Sequence, residues 1–153
     1  MKTKKILFIC KHNVFRSKVA EAYFKKINKD KNIEVSSVGI IEADTLTEIE
    51  KSIVKQQREI AKRLGIDIID SSRALKISLL SKQDMIVIVA DDVQDIFTNK
   101  FYLKPNLKVI TWKIPDILKG TKDADEFILS DIKEIMKKVD ELSKQLSDME
   151  NEK

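Results

Sequence analysis

The stretch KKILFICKHNVFRSKVAEAYFKK, residues 4–26, decides the fold. Its first seven residues form a short apolar run that ends in the polar loop KHNVFR. From Ser17 to Lys26 the apolar residues Val19, Ala20, Tyr23 and Phe24 recur at helical spacing. The pattern predicts strand, loop and helix. Working outward, IEVSSVG (33–39) reads as a second strand closing at Gly39. Thr45 to Leu64 places Leu46, Ile49, Ile53, Ile60 and Leu64 on one helical face and stops at Gly65, which predicts a helix. MIVIVA (85–90), continuous and β-branched, reads as a buried third strand; LKVITW (107–112) reads as a fourth, after a short helical piece near Asp92 to Phe97. The last segment, Asp125 to about Met149, is one amphipathic helix. Its apolar positions Ile128, Ile132, Ile135, Val139, Leu142, Leu146 and Met149 alternate steps of four and three, a heptad-like stripe whose end is left to fray or to meet a partner helix.

Strands alternating with helices imply a parallel sheet with helices on both faces, because parallel neighbours need right-handed crossovers. Ligands of such sheets bind at the carboxyl ends of strands near the switch point, and Cys10 closes the first strand. With 153 residues and no repeat or low-complexity linker, residues 1–153 are expected to form a single domain. A composition 42% hydrophobic and 35% charged is too apolar for disorder, and no apolar run approaches the ~20 residues of a membrane span. The basic, then apolar start is followed at once by Lys11 and Arg16 without a small-residue cleavage site, so a cytoplasmic location is expected. One cysteine forms no internal disulfide, and with one histidine it completes no Cys/His metal site, so neither metal nor cofactor is expected. The net charge of +4 is spread among interspersed signs, and the cluster Lys25, Lys26, Lys29 and Lys31 has no interleaved aromatics, which argues against a nucleic-acid partner.

The loop itself suggests chemistry. Backbone N–H groups between a strand end and a helix N-terminus can converge on one point, where the helix adds partial positive charge. Phosphate suits such a site, because Arg16 offers a planar fork to two oxygens while the amides of Lys11, His12, Asn13, Val14, Phe15 and Arg16 take the rest. Thiols at helix N-termini beside cations fall to a pKa of about 3.5–7.5 from about 8.5, so Cys10 is expected to act as a thiolate nucleophile giving a phosphocysteine. The competing reading is an inert small hydrophobe at a strand end. The strand-to-helix position, Ser17 directly after Arg16, and Asn13, a residue type that tolerates left-handed backbone, favour the chemical one. His12 is open to two readings, tuning of the thiolate through its imidazole charge or a loop residue pointing to solvent, and the second is favoured.

Cys10, Asn13, Arg16 and Ser17, followed by Ala20 and Glu21, match a strand running into C-x-x-N-x-x-R-S and a helix with A-E. In this the chain resembles the low-molecular-weight protein tyrosine phosphatases and the related thioredoxin-coupled arsenate reductases. VSSVG (35–39), LGIDIIDSSRAL (64–75), DMIVIVADD (84–92) and WKIPDI (112–117) resemble further segments of that family in order. The resemblance implies a three-layer α/β fold with a four-stranded parallel sheet in order 2-1-3-4, flavodoxin-like. It also selects Asp116 as general acid and base, where the residues alone leave Asp123 and Asp125 as rivals. To Asn13, Ser17 and Ser37 it gives the support of the loop and thiolate. Departures are His12 where many members carry glycine, Phe15 where many carry a second cysteine, and Ile117 where proline follows the acid. Asp91 and Asp92 are assigned no role.

The leading expectation is a phosphomonoester hydrolase, a protein tyrosine phosphatase acting on a phosphorylated protein or a small aryl phosphate, as a monomer or weak homodimer with no membrane partner. Arsenate reduction is the alternative; with one cysteine in the chain it requires an external thiol. A non-catalytic oxyanion- or phosphoprotein-binding module is the third.

Overall fold

The central strand is β1 (Lys4–Cys10), because its apolar run can be buried on both faces. In the computed structural model, which describes residues 3–69, 71–93, 103–117 and 121–151, β1 lies between β2 (Ile33–Gly39) and β3 (Met85–Val89), and β4 (Lys108–Trp112) flanks β3. All pairings are parallel and the order is β2-β1-β3-β4, as the resemblance implies. Side chains alternate with the strand period. Ile6 and Phe8, with Met85, Val87 and Val89, face one side; Leu7 and Ile9, with Ile86, Ile88 and Ala90, face the other.

The first face carries the long helices. α1 (Arg16–Ile27) contributes Val19, Ala20 and Phe24, α2 (Glu48–Arg63) Ile60 and Ala61, and α4 (Ala124–Asn151) most of the remainder. Phe8 anchors this layer, its ring 6.2 Å from that of Phe24 and 5.9 Å from that of Trp112. A short α3 (Ile77–Leu80), not expected from the sequence, places Leu80 against the second face beside Leu103. The helical piece expected near Asp92 to Phe97 falls largely outside the described residues.

One boundary differs from the periodicity. α2 starts at Glu48 and not Thr45, because the Thr47 side chain accepts from the Glu50 N–H while the Glu50 carboxylate accepts from the Thr47 N–H. That reciprocal cap fixes the first turn and leaves Ala43–Thr45 as a 3-10 turn. Ile49, placed on the apolar face by the periodicity, is 49% exposed. The stop at Gly65 is as expected, with φ at +80°. Along α4 the stripe from Ile128 to Leu146 is buried against α1 and α2, so it is consumed within the chain; Met149 alone among its members is 44% exposed.

This burial predicts an asymmetry along α4. Ile132→Ala, at a fully buried position, is expected to destabilise by about 2–5 kcal/mol. Met149→Ala should cost no more than about 0.5 kcal/mol, as at other surface sites. Urea unfolding of both variants checks it, and equal losses would show that the end of α4 is packed.

Candidate active site

The reversal of strand order between β1 and β3 opens a crevice at the carboxyl ends of these strands, and the loop after β1 lies there. Cys10 ends β1 and is 2% exposed; Arg16 opens α1 and is 4% exposed. Between them Asn13 adopts a left-handed backbone, φ 56°. Among the described residues, no protein acceptor takes the backbone N–H groups of Lys11 through Ser17. They remain available to an anion at the head of α1.

Asn13 is buried and ties the loop to three elements. Its Nδ2 donates to Ser17 Oγ at 2.7 Å and to Ser37 Oγ at 2.8 Å, while its Oδ1 accepts from the Arg73 N–H at 2.9 Å. Ser37 in turn donates to Glu21 Oε1 at 2.6 Å. Ser17 Oγ lies 3.0 Å from Cys10 Sγ. Because that oxygen already accepts from Asn13, its own proton is free to point at the sulfur.

Gly39 sets how closely β2 approaches. It is the register partner of Cys10, and a Cβ built there would meet His12 C at 2.6 Å and Asn13 N at 2.7 Å. The Ile40 and Ile41 N–H groups donate to the Cys10 and Lys11 carbonyls at 3.1 and 2.9 Å, closing the other side of the loop.

Arg16 is held from the far strands. Its Nη1 donates to the Ile114 carbonyl at 3.0 Å, and its Nη2 lies 3.0 Å from Asp92 Oδ1. Asp91 and Asp116 each approach the guanidinium to 3.9 Å. Asp91 and Asp92, given no role from the sequence, thus sit beside the loop; their signal was their place just past β3, the neighbour of β1.

Cys10, His12, Arg16 and Asp116 face one narrow cavity of about 50 Å³, with Leu46 and Glu50 opposite. His12, expected to point to solvent, is half-buried on its wall. Burial, then the Lys11 charge, lowers its pKa below the usual histidine value, against the pull of Glu50 and Asp116. Burial raises the Asp116 carboxyl above the ordinary carboxylate range; Arg16 opposes this and Asp92 adds to it. Asp123 and Asp125, the rivals left open by spacing, are exposed at the start of α4, and Gln56 Nε2 donates to Asp125. Among the described residues no group of three or more His, Cys, Asp or Glu side chains is placed to hold a metal ion. A sulfur, a guanidinium, loop amides without a protein acceptor among the described residues and a carboxyl whose pKa burial raises thus border one cavity.

Asp131 was missed by the sequence reading. It sits on the buried side of α4 next to Ile132, and burial pushes its carboxyl up to about 7, with Arg16 pulling down and Asp116 and Asp91 pushing further up. A carboxylate beside an apolar stripe was the available signal.

Two consequences follow for variants. Gly39→Ala forces the added Cβ against backbone that has no rotamer to yield, so the loop must shift; vanadate affinity should fall at least about tenfold, equivalent to 1.4 kcal/mol, in a competition titration. For Asp131 the native carboxyl holds its proton from the ordinary 3.8 up to about 7, while the unfolded one loses it. Stability is therefore lost as pH rises through that window and stays lost above it. Asp131→Asn removes the penalty. Its melting temperature should exceed wild type by a margin that grows from pH 4 to 7 and then levels, and a margin independent of pH would contradict the assignment.

Comparison with known proteins places this geometry. The family model described as low molecular weight phosphotyrosine protein phosphatase matches residues 5–152. No curated protein matches at a significant level. Among solved structures, the YwlE arginine phosphatase from Geobacillus stearothermophilus is 20% identical, with 97% of this chain and 96% of that one covered at a TM-score of 0.72. Vibrio vulnificus Wzb in complex with benzylphosphonate is 20% identical, with coverage of 93% and 98% and a TM-score of 0.66. A thioredoxin-dependent arsenate reductase of Corynebacterium glutamicum is 24% identical at a TM-score of 0.62; 95% of this chain is covered, but the chain spans only 64% of that protein. At these identities the structures share the fold. The family match extends over nearly the whole chain, through the loop, both ends of the sheet and α4: the chain belongs to the low molecular weight phosphotyrosine protein phosphatase family.

Proposed function

We propose that the chain hydrolyses phosphomonoesters through a phosphocysteine on Cys10. One observation carries this reading: Cys10, Arg16 and Asp116, from the ends of three different segments, face the same cavity. Arg16 and the amides of Lys11, His12, Asn13, Val14 and Phe15 bind the phosphate oxygens. The Cys10 thiolate attacks phosphorus, and the bond to the ester oxygen breaks as that oxygen takes the proton of Asp116. Asp116, now a carboxylate, then takes a proton from water. The water oxygen attacks phosphorus, the P–S bond breaks, and phosphate and thiolate are released. Asn13, Ser17 and Ser37 hold the loop and orient the sulfur. No cofactor enters.

The cavity mouth supports an aryl ester. Leu46, Ile53, Val54 and Ile117 form an apolar wall above the loop, which suits a ring, so phosphotyrosine in a protein or a small aryl phosphate is the proposed substrate. A thiol nucleophile with no disulfide partner in the chain fits a reducing compartment, the cytoplasm. Among the described residues no helix is long and apolar enough to cross a membrane.

Hydrolysis of phenyl phosphate, whose leaving group needs a proton, tests the reading. Cys10→Ser should abolish phosphate release, and Asp116→Asn should lower kcat by about 10²–10⁴-fold. Because burial raises the Asp116 carboxyl above 3.8, the rate should fall with rising pH only beyond the ordinary carboxylate range, and Asp116→Asn should lack that limb. Vanadate binding without phosphate release by wild type would favour a binding module, and thiol-dependent arsenite production a reductase.

A further inference from the structure

Beside the phosphate cavity lies a second, larger one of about 550 Å³. The two share Val14, Leu46 and Val54 as a common wall. Four cations line the outer cavity: Lys51, Lys55, Arg58 and Lys62. Their spacing of four, three and four residues puts them on one face of α2. At 1.5 Å per residue the row runs for about 16 Å. Arg58 joins the row to the phosphate loop, since its Nε and Nη2 both reach the Val14 carbonyl at 3.2 Å. Lys51 is paired with Glu48 at 3.3 Å, but Lys55 and Lys62 are exposed and have no ion-pair partner among the described residues. Glu59 and Asp67 are the carboxylates of the lining.

We propose that this basic groove on α2 binds an acidic segment of the phosphorylated protein whose phosphate occupies the cavity at Cys10. The inference rests on the phosphatase reading and names the class of its substrate. Continuity through Val14 requires the occupant to be the chain that carries the phosphate. Charge requires it to be acidic. At about 3.3 Å per extended residue the row matches about five residues. A nucleic acid suits the groove less well, because its lining has no aromatic side chain for base stacking.

The test compares wild type with the double variant Lys55→Glu and Lys62→Glu on four substrates. These are p-nitrophenyl phosphate, which is too short to reach the groove, and phosphotyrosyl peptides carrying a glutamate block before the phosphoresidue, the same block after it, or glutamines in both places. Wild type should prefer one glutamate peptide to the glutamine peptide, and added salt should erase the preference. The variant should lose about tenfold in kcat/KM on that peptide, or 1.4 kcal/mol, while p-nitrophenyl phosphate and the glutamine peptide stay within about twofold. Equal wild-type rates on all three peptides would overturn the proposal. So would a variant that loses the same factor on every substrate. Wild type inactive on p-nitrophenyl phosphate would instead sink the phosphatase reading. In that case fluorescence titration of the unphosphorylated peptides still decides the groove: glutamate-selective binding lost in the variant upholds it, and equal binding removes it. An oligonucleotide bound by wild type and released by the variant, with no discrimination among peptides, would assign the groove to nucleic acid and end the proposal.

Discussion

A guanidinium that is 4% exposed has to find its partners inside the protein, and much of this site is arranged around meeting that requirement for Arg16. The side chain starts at the head of α1, yet its partners lie beyond β3 and β4: the Ile114 carbonyl, 98 residues away in sequence, and the carboxylates of Asp92, Asp91 and Asp116. One cation thus draws the ends of three parallel strands to a single point. The same cation holds down the pKa of Asp116 against the upward push of burial. That positive charge lies beside loop N–H groups that no protein acceptor takes among the described residues.

The loop is rigid for a different reason. Asn13 uses both ends of its amide, in a left-handed backbone, to bind Ser17, Ser37 and the main chain of Arg73. A buried polar network is stabilising only when its members are satisfied, and here each donor has an acceptor through to Glu21. Gly39 completes the arrangement by having no side chain, since backbone of the loop occupies the space a Cβ would take. Amides fixed in this way need little reorganisation to meet an anion, which the proposed phosphoryl chemistry requires.

Much of the fold was legible because its signals are local. β1 and β3 announce themselves as continuous apolar runs, α4 as a stripe at steps of three and four, and the start of α1 by the change of period after the loop. The start of α2 is not legible in the periodicity, because the apolar period continues upstream through Leu46, while the boundary is set by two hydrogen bonds between Thr47 and Glu50. That Cys10 ends a strand and Arg16 heads a helix could be read from the change of period between them. For Asp92 and Asp131 the sequence held only weak signals, a place just past β3 and a carboxylate beside an apolar stripe, and neither says that the group will lie near a buried arginine.

The sequence by itself determined the strand-helix alternation, the loop with Cys10 and Arg16 at its two ends and, through that loop's motif together with the segments that follow it in order, the family. Periodicity and chain connectivity suffice for these, since the residues involved are neighbours along the chain. Only the tertiary structure decided which carboxylates meet Arg16, that His12 faces the cavity, and that a row of lysines on α2 runs out from it. Those are matters of field and desolvation, which depend on distances through space. The chain sets such distances only once β3, β4 and α4 have closed on β1.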